Sequence, residues 1–278
     1  MSNPLTAYRA EVRVTKDHLR RLSACPPHIA IAELIWNSLD AEAKHVRVII
    51  SEDGAGRFVR VDVQDDGDGI DATRVRSAFE NLGDSWKKNA VTTPSGRTMH
   101  GKRGQGRFRI CGLGRYCVWS TVNRTPDNTL HEFEVSIEGE DIKTFTLSDS
   151  HVINEGRTGT VATINDLYSP YSRSLREDDL LDFLVEEFGQ HLMKYPNLKI
   201  SVNGRKVDPS GLIAHSILKT IAVPPVEGQP GADAVMRLVE WKQPGDRRIF
   251  LAGKDGMTVA DVPMRSHLLD GYVSAYVQ

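Results

Sequence analysis

The run ELIWNSLDA, residues 33–41, sets the strongest single constraint on what this chain can fold into. At about 100° per residue, Glu33, Asn37 and Asp40 fall within roughly 60° of one another on a helix. Ile31, Leu34, Ile35, Trp36, Leu39 and Ala41 fill most of the remaining circumference. A helix apolar nearly all round is a buried one, so this segment needs a core on several sides. Its polar stripe then needs hydrogen-bonding partners, because unpaired burial costs about 1–3 kcal/mol per group. Those partners are either protein groups or a polar ligand, and the stretch alone favours neither.

Pro26 and Pro27 separate this helix from an earlier helical run, HLRRLSA, and place its start near His28. Two period-two runs follow at 46–50 and 58–63, joined by EDGAG, which reads as a hairpin. A short helix is predicted at 72–81. Residues 82–107 are rich in Gly, Ser and Thr with little apolar periodicity, as in a long mobile lid or loop. Order resumes at FRICGLGRYCVWSTV, and strands are expected at 130–137, 143–147 and 159–164. LREDDLLDFLVEEFGQHLMKY reads as an amphipathic helix, and LKISVNG as a strand ending in an Asn-Gly turn. The pattern is α+β, helices against a mostly antiparallel sheet. After about Pro209 the texture changes: PPVEGQPG reads as a linker-like insert before further hairpin strands, with turns at 244–245 and 254–256. The expected division is therefore 1–209 and 210–278. GYVSAYVQ stops in mid-strand, as a fragment of a longer protein would.

A net charge of -2 gives no global drive toward nucleic acid or anionic lipid. Cys25, Cys111 and Cys117 form no CxxC pair, which fits a reducing compartment and argues against a zinc site. No apolar run approaches the ~18 residues of a membrane span. The N-terminus lacks a signal-peptide apolar region, so a cytoplasmic protein is expected.

Three further stretches can be read chemically. In QDDGDGI, two glycines two apart after a strand permit a tight turn with Asp65 aimed at whatever lies there, although a plain Asp/Gly turn looks the same. In HGKRGQGRFR, Gly101, Gly104 and Gly106 free backbone N–H groups to converge on an anion, beside Lys102, Arg103 and Arg107. A flexible basic loop is the plainer alternative. In TGTVATINDLY, a Gly-Thr opens a β-branched strand, an ordinary feature by itself.

Taken in order, the four stretches resemble the motifs of the GHKL superfamily, the Bergerat-fold ATPases that include gyrase, ninety-kilodalton heat-shock chaperones, histidine kinases and MutL. ELIWNSLDA is similar to the first motif, DDGDGI to the second, GKRGQGRF to the third and the GT of TGTVATI to the fourth. ENLGDSWKKNA resembles the lid entry of the MutL, type II topoisomerase and MORC branches. The resemblance covers roughly residues 20–205. It implies a Bergerat-type α/β sandwich with helices on one face of the sheet, followed by a smaller β-rich or α+β domain that starts a transducer-like unit.

It also implies roles. Asn37 would hold Mg²⁺ on the phosphates of ATP, and Glu33 would orient and deprotonate the attacking water, with Asp40 in support. An i, i+4 spacing puts Glu33 and Asn37 on one helix face about a turn apart, consistent with that pairing. Asp65 would accept a hydrogen bond from the adenine amino group, with Thr160 completing the contact and Gly69 giving the base room. Gly101, Gly104, Gly106 and the Arg107 amide would line the phosphates, and Lys87 or Lys88 would reach them as the lid closes. One departure is the acidic rim of Asp65, Asp66 and Asp68, which predicts weak nucleotide affinity.

The implied function is an ATPase whose lid closure drives homodimerisation, with DNA or a protein partner engaged through regions outside this chain. DDGDGI and GDSWKK lean toward MORC-like or prokaryotic defence-associated members. A non-hydrolysing ATP-binding module is the alternative. A histidine-kinase-type phosphotransferase fits less well: it needs an upstream phospho-acceptor helix, where only 32 residues precede the first motif, and such kinases generally lack the Glu33 equivalent.

Overall fold

The computed structural model describes residue 21 and residues 23–73, 75–80, 93–95, 99, 106–211, 213–225, 231–242, 248–252, 258–263 and 272–277. Helix α1, Pro27–Asp40, opens with proline in its first turn, where a missing N–H is tolerated. It ends where Glu42 adopts a left-handed φ of 65°. Strands β1 (His45–Glu52) and β2 (Phe58–Asp65) form the expected hairpin, Val48 opposite Val63. In β1 the inward residues are Val46, Val48 and Ile50, while His45, Arg47 and Ile49 face out.

The predicted helix at 72–81 is the shorter α2, Val75–Glu80, with Asn81 outside the described residues. Helix α3, Gly106–Cys111, begins two residues before order was expected to resume, so the end of the glycine loop is helical. Strands β3 (Gly114–Arg124), β4 (Leu130–Glu138), β5 (Thr146–Leu147), β6 (His151–Ile153) and β7 (Gly159–Leu167) follow. The strand expected at 143–147 survives only as its last two residues, because Thr144 N–H bonds back to Asp141 in a turn. Helix α4, Glu177–Lys194, carries three acids in its first turn, favourable against the helix dipole. Strands β8 (Lys199–Val202) and β9 (Arg205–Lys206) complete the sheet.

Its order is β5-β4-β3-β7-β2-β1-β8-β9, with β6 on β4. Among the described residues every pairing in this sheet is antiparallel except β1 with β8. Trp36 on α1 packs against Phe188 on α4 at 4.6 Å and donates its Nε1–H to Glu187 at 3.0 Å. The result is the expected α+β sandwich, helices over a mixed, mostly antiparallel sheet.

A second, five-stranded sheet has the order β10-β11-β14-β12-β13, comprising β10 (Ile213–Val223), β11 (Ala232–Trp241), β12 (Arg248–Ala252), β13 (Thr258–Pro263) and β14 (Tyr272–Val277). The prolines and glycines read as a linker instead connect β10 to β11, paired from Ile213–Trp241 to Val223–Ala232. Strand β10 was not expected: its side chains are mostly exposed on both faces, so it lacks the alternation that marks a half-buried strand. The turns expected at 244–245 and 254–256 lie outside the described residues. Val239, Trp241, Phe250 and Tyr276 of this sheet belong to the same hydrophobic cluster as α1, α4 and the first sheet.

Candidate functional site

A cavity of about 1110 Å³ lies between the end of α1, the turn after β2, the end of β3 and residues 93, 94 and 99. Asn37 and Asp40 line it from α1, and Asp68, Gly69 and Asp71 from the turn. Thr93, Pro94 and Met99 lie against it from the segment expected to be a lid. Apart from Ser95, Gly106 and Arg107, the remainder of that segment, including Lys87, Lys88, Gly101 and Gly104, lies outside the described residues.

The polar stripe of α1 is divided between a cavity and a protein cation. Asn37 is exposed and Asp40 buried, and both face the cavity. Glu33, one turn earlier, accepts a 2.6 Å hydrogen bond from Arg109 Nη1 on α3. Its partner here is a protein cation. Trp36, off the stripe, packs into the core.

Asp65 is enclosed by donors from three parts of the fold. Ser38 Oγ donates to Oδ2 at 2.9 Å, while the Gly67 and Thr160 amides donate to Oδ1 at 2.9 and 3.2 Å. Burial pushes its carboxyl above the ordinary range, against the pull of these donors. Asp65 and Thr160 are not among the cavity-lining residues. Thr160 offers Asp65 its amide, while its hydroxyl pairs with Thr121 Oγ1 at 3.0 Å.

The glycine turn is shaped by backbone contacts. A Cβ on Gly67 would lie 2.4 Å from the Ala41 carbonyl oxygen, which also accepts the Asp68 amide at 2.7 Å. Gly69 has φ +78°, and a Cβ there would lie 2.2 Å from the Val122 oxygen. The close approach anticipated for a ligand is thus made by α1 and β3, with Gly69 also lining the cavity.

The acidic rim is differently composed from the expected one. Asp66 turns away: its Oδ1 accepts the Lys44 and His45 amides, each at 2.7 Å, and its Oδ2 meets His45 Nδ1 at 2.6 Å. Burial opposes ionisation, but the His45 and Lys44 donors prevail and hold the Asp66 carboxyl below its usual range. Asp40 and Asp71 take its place beside Asp68, so among the described residues three carboxylates and Arg124 are the charged groups lining the cavity. Burial, then the charge of Glu42, raises the Asp68 carboxyl.

Gly106 and Arg107 open α3, placing their backbone amides in the first turn of a helix, where N–H groups lack intrahelical acceptors. Two contributors went unnoticed in the sequence. Thr121 Oγ1 accepts the Ile70 amide at 2.9 Å and donates to the Gly159 carbonyl at 3.2 Å, tying the glycine turn to β7. Asn123 is buried against the cavity, and its Oδ1 has no hydrogen-bond partner among the described residues. The available signal was the inward face of β3, which runs Cys117, Trp119, Thr121, Asn123 and turns polar as it reaches the site.

An apolar helix ending in a cavity, a glycine turn wrapped on its last carbonyl, and an aspartate bridged to a Gly-Thr strand together define a Bergerat-type nucleotide-binding sandwich. Residues 25–160 match the family described as histidine kinase-, DNA gyrase B-, and HSP90-like ATPase. The chain is 26% identical over 203 residues to the DNA mismatch repair protein MutL of Carboxydothermus hydrogenoformans, covering 69% of this chain and 32% of that protein. It is 26% identical over 186 residues to MutL of Christiangramia forsetii, covering 65% and 28%. It is 29% identical over 189 residues to MutL of Ligilactobacillus salivarius, covering 65% and 26%. The chain thus spans about a third or less of the length of these relatives. Residues 25–160 form a domain of the GHKL-type ATPase family. No helix among the described residues is long and apolar enough to cross a membrane.

Proposed function

We propose that this chain binds Mg²⁺-ATP in the cavity at the end of α1 and hydrolyses it, as the motor of a larger cytoplasmic protein. The observation that carries the reading is the placement of Asn37 in the cavity one helical turn from Glu33, beside a glycine turn built on half-buried Asp65. Glu33 orients and deprotonates water, Asp65 selects the base with Thr160, and Gly69 borders it. Gly101, Gly104, Gly106 and the Arg107 amide bind phosphate, with Lys87 or Lys88 added on lid closure.

Asn37 offers a neutral oxygen and Asp40 adjacent charge. That donor set fits Mg²⁺, which keeps several waters and takes its other oxygens from phosphates. The ion, when bound, neutralises phosphate charge. The acidic lining predicts that ATP affinity falls when EDTA removes Mg²⁺, as a binding titration would read.

Residues 1–209 act as the ATP-binding unit and 210–278 as the start of a transducer, and the core that the second sheet shares with α4 and α1 couples the two. ATP gates homodimerisation in this reading, which the likeness to the family supports, with DNA or protein partners engaged through other regions. The MutL relatives favour a MutL-like branch over the MORC-like or defence-associated one.

The test is ATP turnover measured across protein concentrations, with Glu33→Ala alongside. Turnover that rises more than linearly with protein, and that Glu33→Ala abolishes while ATP still binds, is expected. ATP binding without turnover in the wild type would make this a non-hydrolysing module.

A further inference from the structure

We infer that Arg109 is a positioning residue for Glu33, fixing the carboxylate from which water is activated. The inference rests on the hydrolytic role given to Glu33 above. Arg109 Nη1 lies 2.6 Å from Glu33 Oε1, and the two side chains are 35% and 15% exposed. The two residues come from different motifs, α1 and the helix that ends the glycine loop.

The backbone of Arg109 is itself held. Its carbonyl accepts the Gly112 amide at 3.0 Å and a 3.9 Å contact from Cys25 Sγ, in the lead-in to α1. Ile110 and Cys111, the next two residues, are buried. The guanidinium therefore extends from a packed base. Glutamate has three side-chain torsions, and its immobilisation costs up to about 2 kcal/mol of rotamer freedom. With Oε1 tied to Arg109, the planar carboxylate has its second oxygen directed as well. Misplacement of a reacting group by about 1 Å can cost ~100-fold in rate.

Steady-state hydrolysis by the full chain decides this, using Arg109→Met, which keeps the unbranched stem, and Arg109→Lys, which keeps the charge. Arg109→Met lowers kcat about 10- to 100-fold with the KM for ATP and equilibrium ATP binding unchanged, and Arg109→Lys recovers much of the loss. Adding Arg109→Met to Glu33→Gln lowers kcat no further, because the arginine acts only through the glutamate. A raised KM at unchanged kcat would make Arg109 a phosphate ligand, and a raised kcat would make it a restraint. Loss of ATP binding in both variants would make it a scaffold residue. Each outcome overturns the positioning role while leaving the hydrolytic reading intact. A wild type that binds ATP without turnover would remove both.

Discussion

Asp65 shows how one residue couples site chemistry to stability. Its carboxylate is largely enclosed by the Ser38, Gly67 and Thr160 donors, and this desolvation raises its pKa. A carboxyl whose folded-state pKa lies above its unfolded value binds its proton more tightly when folded. Its ionisation therefore weakens the fold as pH rises through the raised value, and costs nothing below the ordinary carboxylate range. Asp65→Asn keeps an acceptor for the two amides and removes the buried charge. We predict a higher Tm than wild type for Asp65→Asn in the absence of nucleotide at pH 7, with the difference vanishing below about pH 4, the unperturbed carboxylate region. Thermal unfolding across pH checks this; a lower Tm at pH 7 would show that the ionised form is the better fitted. The position of Asp65 at a strand end before glycine was legible in the sequence. Its three donors were not, since they come from residues 27 and 95 positions away as well as from its own turn. The pairing of Glu33 with Arg109 spans 76 positions and was equally beyond local pattern.

At the scale of elements, periodicity carried α1, the β1–β2 hairpin and α4, whose buried residues recur at regular intervals. It missed β10, which has no buried face, and β6, which is three residues long. The glycine turn was recognised, but the reason for its glycines is a backbone contact between elements. Gly69→Ala places a Cβ against the Val122 oxygen in a left-handed conformation, and should cost about 1–3 kcal/mol of stability and weaken nucleotide binding. Gly54 has nothing within 4 Å of the equivalent atom, so Gly54→Ala should stay within about ±0.5 kcal/mol. Urea midpoints at constant m distinguish the two; equal midpoints would remove the packing explanation for Gly69.

Across the whole molecule, α4 joins the site helix to the second sheet. Trp36 on α1 meets Glu187 and Phe188, and Arg237 on β11 reaches Met193 Sδ at 3.9 Å. Trp241 is buried in the shared cluster, its Nε1–H donating to Ser274 Oγ at 3.0 Å. Trp241→Ala should therefore destabilise by about 3–5 kcal/mol. Calorimetry should give one unfolding transition for the wild type, moved down as a whole in the variant. Two transitions, with only one moved, would mean that the sheets are energetically separate. A composition change near Pro209 suggested a boundary in the sequence, whereas the continuous core depends on contacts that no local window contains.

The most direct test of the central claim is a calorimetric titration of Mg²⁺-ATP into wild type and Asp65→Asn. The wild type is predicted to bind ATP, while Asp65→Asn, folded and at least as stable at neutral pH, shows no saturable heat. Equal affinity in the two proteins would contradict the assignment of this cavity and of Asp65 as the nucleotide site.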